Sequence, residues 1–223
     1  PIDWLDAAGE ATRSALAKAH APGGSVISIG VDFTSCTMLP CRADGTPLCL
    51  GPDALRRNLL TGASRDPHAW PKLWKHHGAL EQTDRLNRLA RERAEPWLAR
   101  YGGVVGLEWF FPKMLEVVER SPSAAAAAEV WLEAGDWLVW QLVGSTAMGG
   151  TVGAAQLPRS TCQAGYKGLW SEDGGFPSRE FFAALHPRLS EAAEHKLPGR
   201  FIAPGRVAGE LCALAAERMD LRP

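Results

Sequence analysis

A short apolar run at residues 26–33 constrains the fold of this chain more than any other segment. Ile27, Ile29 and Val31 make the run nearly continuous and β-branched, which is typical of a buried strand in a sheet that is covered on both faces. An amphipathic segment at residues 3–20 precedes it and stops before Pro-Gly-Gly, so a helix is predicted there. The two segments together predict a mixed α/β fold.

The rest of the chain is predicted to be mostly helical. Residues 37–41 and 47–50 flank Asp44-Gly45, which is a hairpin signal. Ser121 is predicted to cap a helix whose first residue is Pro122, and Gly144 is predicted to end another. The Gly-rich stretch 145–161 is predicted to be a long loop. Helices are expected at residues 81–100, 112–118, 122–128, 133–143, 178–185 and 209–219.

Composition excludes several classes of function. The chain has 223 residues with 46% hydrophobic and 22% charged side chains, which fits one large or two small globular domains. A formal net charge of −1 gives no support for binding to nucleic acid or to an anionic membrane. No apolar run approaches ~20 residues and no signal peptide is evident. Five cysteines without a C-x-x-C pair predict reduced thiols, so a cytoplasmic protein is expected.

Residues 66–78 combine two tryptophans, two lysines and three histidines. Trp70 and Trp74 are four positions apart, so on a helical turn their rings would share one face. Aromatic faces beside charged donors suit a polyhydroxylated ligand, because a sugar offers apolar C–H surfaces and a rim of hydroxyl groups. The alternative is the start of a helix with a packed tryptophan pair and a solvated basic tip.

Other candidate residues carry weaker signals. Cys36 with a histidine could form a nucleophilic pair, and His68, His76 and His77 could bind a metal ion, but no spacing supports either site. Asp32 ends the predicted buried strand, where α/β proteins often place functional groups, although a turn or helix cap is an equal alternative. Neither a P-loop nor a G-x-G-x-x-G fingerprint is present.

Six sequence blocks occur in order along most of the chain. They are VDFTSCTMLP (31–40), HAWPKLWKHH (68–77), EWFFPK (108–113), AGDWLVWQL (134–142), AGYKGLW (164–170) and GFPS (175–178). Together they resemble the ribulokinase branch of the FGGY carbohydrate kinases. The resemblance implies an actin-like, ribonuclease-H-like α/β domain. Residues 1–223 would form most of the N-terminal, sugar-binding domain, incomplete at its N-terminal edge.

The same resemblance implies an activity and a set of site residues. The activity is transfer of the γ-phosphoryl group of ATP, with Mg²⁺, to the 5-hydroxyl of L-ribulose in L-arabinose catabolism. Ser35 falls where the family has a small residue beside the sugar, and Lys167 falls on the sugar-contacting lysine. A solvated surface lysine is the alternative for Lys167. Trp74, Lys75 and His76 fall on the loop that lines the sugar side of the cleft.

Departures from the family pattern concern the catalytic parts. The resemblance places the D-x-G-T-like phosphate loop before this chain, and the catalytic aspartate and the ATP-binding domain after it. We therefore expect a fragment without a catalytic residue or metal ligand of its own, inactive alone and prone to self-association through an exposed edge. The alternatives are a non-catalytic sugar-binding or interaction module, and a kinase for another polyol such as xylulose.

Overall fold

In the computed structural model, which describes residues 1–57 and 62–222, short strands are interspersed among many helices. The strands are β1 (Met38–Cys41), β2 (Val130–Glu133), β3 (Pro158–Ser160) and β4 (Arg200–Ile202). The α-helices are α1 (Ile2–Ala19), α2 (Ala54–Arg57), α3 (Leu80–Glu92), α4 (Phe110–Arg120), α5 (Pro122–Ala127), α6 (Ala134–Leu142), α7 (Thr161–Lys167), α8 (Arg179–Leu185), α9 (Pro187–His195) and α10 (Ala213–Met219). The mixed α/β class predicted from the sequence is confirmed.

An antiparallel pair of strands, β1 and β2, lies between two hydrophobic cores. Leu39 pairs with Leu132 and Met38 pairs with Glu133. Because successive side chains of a strand point to opposite faces, Leu39 and Leu132 pack in one core, while Met38 and Trp131 pack in the other. Both faces of this ribbon are therefore covered, which explains why its residues are almost all apolar.

Helix α4 is the centre of the first core. It packs against α3, α5 and α9, and the Phe111 ring lies 4.5 Å from that of Phe182 in α8. The second core joins α1, α6 and α10, and the Trp4 and Trp137 rings meet edge to face at 5.7 Å. The strand pair β3 and β4 is parallel and lies beside α6 and α7.

Several local predictions are confirmed. Helix α1 covers the predicted segment, and Ser121 caps α5 by accepting a hydrogen bond from the Ala124 N–H. Gly144 follows α6 with a φ of 93°, and Gly45 has a φ of 95° in the predicted turn. Among the described residues, no helix combines the length and apolarity needed to cross a bilayer.

The buried strand predicted at residues 26–33 is wrong for this chain. The segment forms neither a strand nor a helix, and no described strand pairs with it. The side chain of Ile27 is 98% exposed, and those of Ile29 and Val31 are also exposed. A strand needs hydrogen bonds to a neighbour as well as β-branched side chains, and the described residues supply no such neighbour.

The predicted tryptophan face at residues 66–78 is also wrong. A short 3-10 helix, Pro67–Ala69, gives way to an extended stretch in which Lys72 bridges Met38. Trp70 packs against the second core and donates to the Ser64 carbonyl at 2.9 Å. Trp74 is 51% exposed. The hydrogen bonds to Met38 oppose the helical turn that would have aligned the two rings.

Two other predicted boundaries change. The helix expected at 81–100 ends at Glu92, and a 3-10 helix, Pro96–Tyr101, follows it, since Pro96 lacks the N–H that a continuous α-helix uses. The loop predicted at 145–161 contains β3 and two 3-10 turns, Thr146–Met148 and Ala154–Gln156.

The exposed segment at 26–33 generates a prediction for the purified 223-residue chain. Replacing Ile27 and Ile29 together with serine should lower both the fluorescence of an apolar dye and self-association in sedimentation, because exposed apolar segments favour association. Val207→Ser is the matched control, because Val207 is 85% exposed at another place. A monomeric wild-type chain that binds no dye would contradict the prediction.

Candidate functional site

The turn at residues 34–37 presents Ser35 at the start of β1. Ser35 is partly buried, and Cys36 next to it is fully buried with a φ of 62°. A left-handed backbone at a residue with a Cβ costs about 1–3 kcal/mol, so the surrounding structure must hold it. The Thr37 carbonyl accepts a hydrogen bond from the Ala134 N–H at 2.9 Å, which ties the turn to α6.

The loop at residues 72–77 lies beside this turn. Its first residue, Lys72, exchanges two backbone hydrogen bonds with Met38, of 2.8 and 3.0 Å. Trp74 and Lys75 are exposed. The structure therefore places two of the predicted sugar-side residues on an accessible loop that begins at the same strand end as Ser35.

His76 is directed toward helix α4. Its Nε2 lies 2.6 Å from Oε2 of the buried Glu116, whose other oxygen accepts from Arg120 at 3.0 Å. A Cβ on Gly78 would lie 2.6 Å from the His76 ring and 2.8 Å from Glu116. Glycine at position 78 therefore permits this contact, and the contact fastens the end of the loop to α4.

Lys167 ends helix α7 and pairs with Glu108. Its Nζ lies 3.1 Å from Oε1 of Glu108, and both side chains are largely buried. Burial alone would lower the pKa of Lys167, but the hydrogen bond to Glu108 and the nearby acidic groups together outweigh it and raise that pKa. Burial would raise the pKa of Glu108, but hydrogen bonds, including the one from Lys167, and the charges of Lys167 and His77 together lower it. The pair is therefore ionised at neutral pH.

The turn, the loop and the ion pair lie near one another in the fold. The charge of Lys167 partly opposes the rise in the pKa of Cys36, the neighbour of Ser35. The charge of His77 contributes to the lowered pKa of Glu108. Tyr101 donates to the Gly165 carbonyl at 2.9 Å and so anchors α7 near the ion pair. The fold brings together positions that are far apart in sequence.

A buried lysine lies under this site. Lys113 is 0% exposed, and its Nζ donates to the carbonyls of Cys36, Lys72 and Leu73, at 3.2 Å for Lys72 and 3.1 Å for Leu73. Burial lowers the pKa of Lys113 to about 8, and the charges of Cys36, Glu133 and Glu108 partly oppose that shift.

Three further ionisable side chains, Glu133, Asp136 and Arg159, are buried on β2, α6 and β3. Burial raises the pKa of Glu133 to about 8, with the Asp136 charge as the next cause. Burial also raises the pKa of Asp136 to about 6, and the Arg159 charge opposes that shift. Arg159 donates to the carbonyls of Trp131 and Pro198, each at 2.6 Å. Arg159 is thus held by backbone carbonyls, and Asp136 accepts from the Ser160 N–H at 2.8 Å.

Two site residues were missed by the sequence reasoning. Glu108 and Lys113 both lie in the block EWFFPK, but neither was given a role. A single lysine among phenylalanine, methionine and leucine on the buried face of a helix is a signal, because charged groups are rarely buried without partners. No local pattern shows which carbonyls such a lysine meets.

Other candidates from the sequence do not form a reactive group in the described residues. Burial raises the pKa of the Cys36 thiol to about 11, so the thiol is neutral and a poor nucleophile. Asp32 is exposed in the segment at residues 26–33. Among the described residues there is no group of three His, Cys, Asp or Glu side chains placed to hold a metal ion.

Comparison with known proteins gives relatives along the whole chain. A ribulokinase from Shouchella clausii is 40% identical over 223 residues, which is 100% of this chain and 36% of the relative. One from Mycolicibacterium smegmatis is 41% identical over 216 residues, which is 97% of this chain and 35% of the relative. The chain therefore spans about a third of the length of these relatives. No protein-family model matches the chain.

A solved structure shows the same fold. The gluconate kinase from Lactobacillus acidophilus matches 98% of this chain and 36% of its own chain with a TM-score of 0.61, at 13% sequence identity. At that identity the likeness concerns the fold alone. The predicted α/β sugar-kinase fold is confirmed.

The buried thiol of Cys36 generates a prediction. Iodoacetamide at pH 8 should alkylate Cys36 at least about tenfold more slowly than the exposed Cys162, because only about one part in a thousand of a thiol of pKa about 11 is then ionised. Peptide mapping by mass spectrometry measures both rates. In denaturant the two rates should converge. Rapid labelling of Cys36 in the folded chain would contradict the prediction.

Proposed function

Because this chain is homologous over its whole length to part of the ribulokinases, we propose that it forms most of the sugar-binding domain of an L-ribulose kinase. The full-length protein would transfer the γ-phosphoryl group of ATP to the 5-hydroxyl of L-ribulose. The observation that carries this proposal is 40% identity over all 223 residues to a protein named ribulokinase. The FGGY resemblance also supports a role in L-arabinose catabolism and a cytoplasmic location.

The candidate site suits a neutral polyol. The ammonium of Lys167 has three N–H donors, and one contact to Glu108 at 3.1 Å leaves others for sugar hydroxyls. Glu108 orients that ammonium and can itself accept from a hydroxyl. Ser35 leaves room for the ligand, and the exposed ring of Trp74 offers an apolar face to sugar C–H groups. Lys75 and His76, on the loop at 72–77, would line the same side of the sugar site as Trp74.

The proposed part of this domain in catalysis is positioning. Phosphoryl transfer depends on aligning the acceptor hydroxyl with the phosphate and on stabilising charge. We assign the first task to Lys167, Glu108 and the loop at 72–77. The described residues show no metal-binding group, so the Mg²⁺ that accompanies ATP is assigned to no side chain here. ATP itself would bind elsewhere in the full-length kinase.

An activity assay tests this function. The full-length polypeptide that contains this chain should form ADP and a 5-phosphate from L-ribulose, followed by a coupled assay and phosphorus NMR. The 223-residue chain alone should show no turnover. Faster turnover of xylulose would favour another polyol kinase. Sugar binding without phosphoryl transfer in the full-length polypeptide would favour a binding module.

Lys167→Ala in the full-length kinase should raise the KM for ribulose and leave the KM for ATP near normal. The loss of charge-assisted hydrogen bonds to sugar hydroxyls is worth roughly 1.5–3 kcal/mol, or about 10–150-fold in affinity. Steady-state kinetics with each substrate varied measures both constants. Lys196→Ala is the control, because Lys196 is a partly buried lysine that donates to the Ala125 carbonyl in another part of the fold. An effect on ATP alone would contradict the assignment.

Ser35→Leu should block sugar binding sterically, since the larger side chain would project from a turn that its buried neighbour Cys36 holds in place. Calorimetric titration with ribulose should then show no binding, while titration with ATP stays near normal. Ser35→Ala is the matched comparison, and its effect should be much smaller because it adds no volume. Normal ribulose binding by Ser35→Leu would remove Ser35 from the site.

A further inference from the structure

We propose that Lys113 is a positioning residue that holds the turn at 34–37 and the loop at 72–77 in register, so that Ser35 and Trp74 face the same sugar. This role rests on the proposed function, because it concerns the geometry of the sugar site. Lys113 itself would touch neither the sugar nor ATP.

The contacts of Lys113 join the two segments directly. Its ammonium donates to the Cys36 carbonyl, one residue after Ser35, and to the Leu73 carbonyl, one residue before Trp74. A third bond, of 3.2 Å, goes to the Lys72 carbonyl, which also accepts from the Met38 N–H at 3.0 Å. One cation therefore fixes both walls of the site and the strand pairing between them.

The turn has a particular need for such a contact. Cys36 has a φ of 62°, a conformation that a residue with a Cβ rarely adopts and keeps only when its surroundings hold it. The bond from Lys113 to the Cys36 carbonyl acts on that residue. Without it, we expect the turn to relax toward a more common conformation and to move Ser35.

Stability alone gives a weak reason for a lysine at this position. Burying an ammonium removes its hydration, and apolar side chains of similar volume often stabilise a core as well or better. Three converging carbonyls match the three donors of the ammonium group. This arrangement fixes the positions of the three carbonyls relative to one another. The charges of Glu108 and Lys167 also act on Lys113, so the ion pair is near it.

Lys113→Met in the full-length kinase tests this role, because methionine keeps an unbranched apolar side chain but has no donor. Hydrogen–deuterium exchange without sugar should become faster in peptides covering residues 34–38 and 72–77, and stay unchanged at β3 and β4. The KM for ribulose should rise at least about tenfold, since small displacements at a site are costly. The KM for ATP should change less than twofold.

Two variants make the test decisive. Lys196→Met removes a lysine that donates to one carbonyl elsewhere and should affect neither exchange in these peptides nor the KM for ribulose. Lys113→Gln retains uncharged donors and should fall between wild type and Lys113→Met in both measurements. This graded response is what a merely structural role would not produce.

The outcomes separate this proposal from the proposed function. If the wild-type kinase phosphorylates no ribulose, the function fails, while the exchange measured without sugar still decides the role of Lys113. Unchanged local exchange in Lys113→Met would overturn the positioning role. If exchange became faster along the whole chain in both Lys113 variants, the positioning role would also be overturned, because Lys113 would then support the whole fold instead of this site.

Discussion

A buried cation bound by backbone carbonyls organises the candidate site, and the surrounding contacts depend on it. The ammonium of Lys113 in α4 reaches across to a turn 77 residues earlier in the chain and to the loop after it. Because a buried charge without partners is costly, these segments can separate only at a large energetic cost. Lys113 thus links the packed helix α4 to both segments and sets the distance between Ser35 and the loop that carries Trp74.

Helix α4 also fixes the outer parts of the site. Glu116, one turn further along the helix, holds His76 at 2.6 Å, and Glu108 just before the helix holds Lys167 at 3.1 Å. The aromatic and aliphatic side chains of α4 are meanwhile buried in the first core. A single helix therefore carries both the packing that stabilises this half of the domain and the polar contacts that position the proposed sugar-binding residues.

Much of the fold was predictable, because helix boundaries and caps are local. The Ser121 cap, the Pro122 start of α5 and the Gly144 end of α6 follow from residues within a few positions of each other. The strand at 26–33 was not predictable in the same way. Its β-branched sequence is suitable for a strand, but a strand also needs hydrogen bonds to another segment. No segment among the described residues pairs with it.

The sequence by itself determined the α/β class, the helical segments, the resemblance to ribulokinases and the candidate residues Ser35, Lys167, Trp74, Lys75 and His76. Only the tertiary structure decided that Lys167 pairs with Glu108, that His76 turns toward Glu116 and that Lys113 holds three carbonyls. The physical reason is that these contacts join residues 40 or more positions apart. Such contacts arise from the packing of the elements, while local propensity acts over only a few residues.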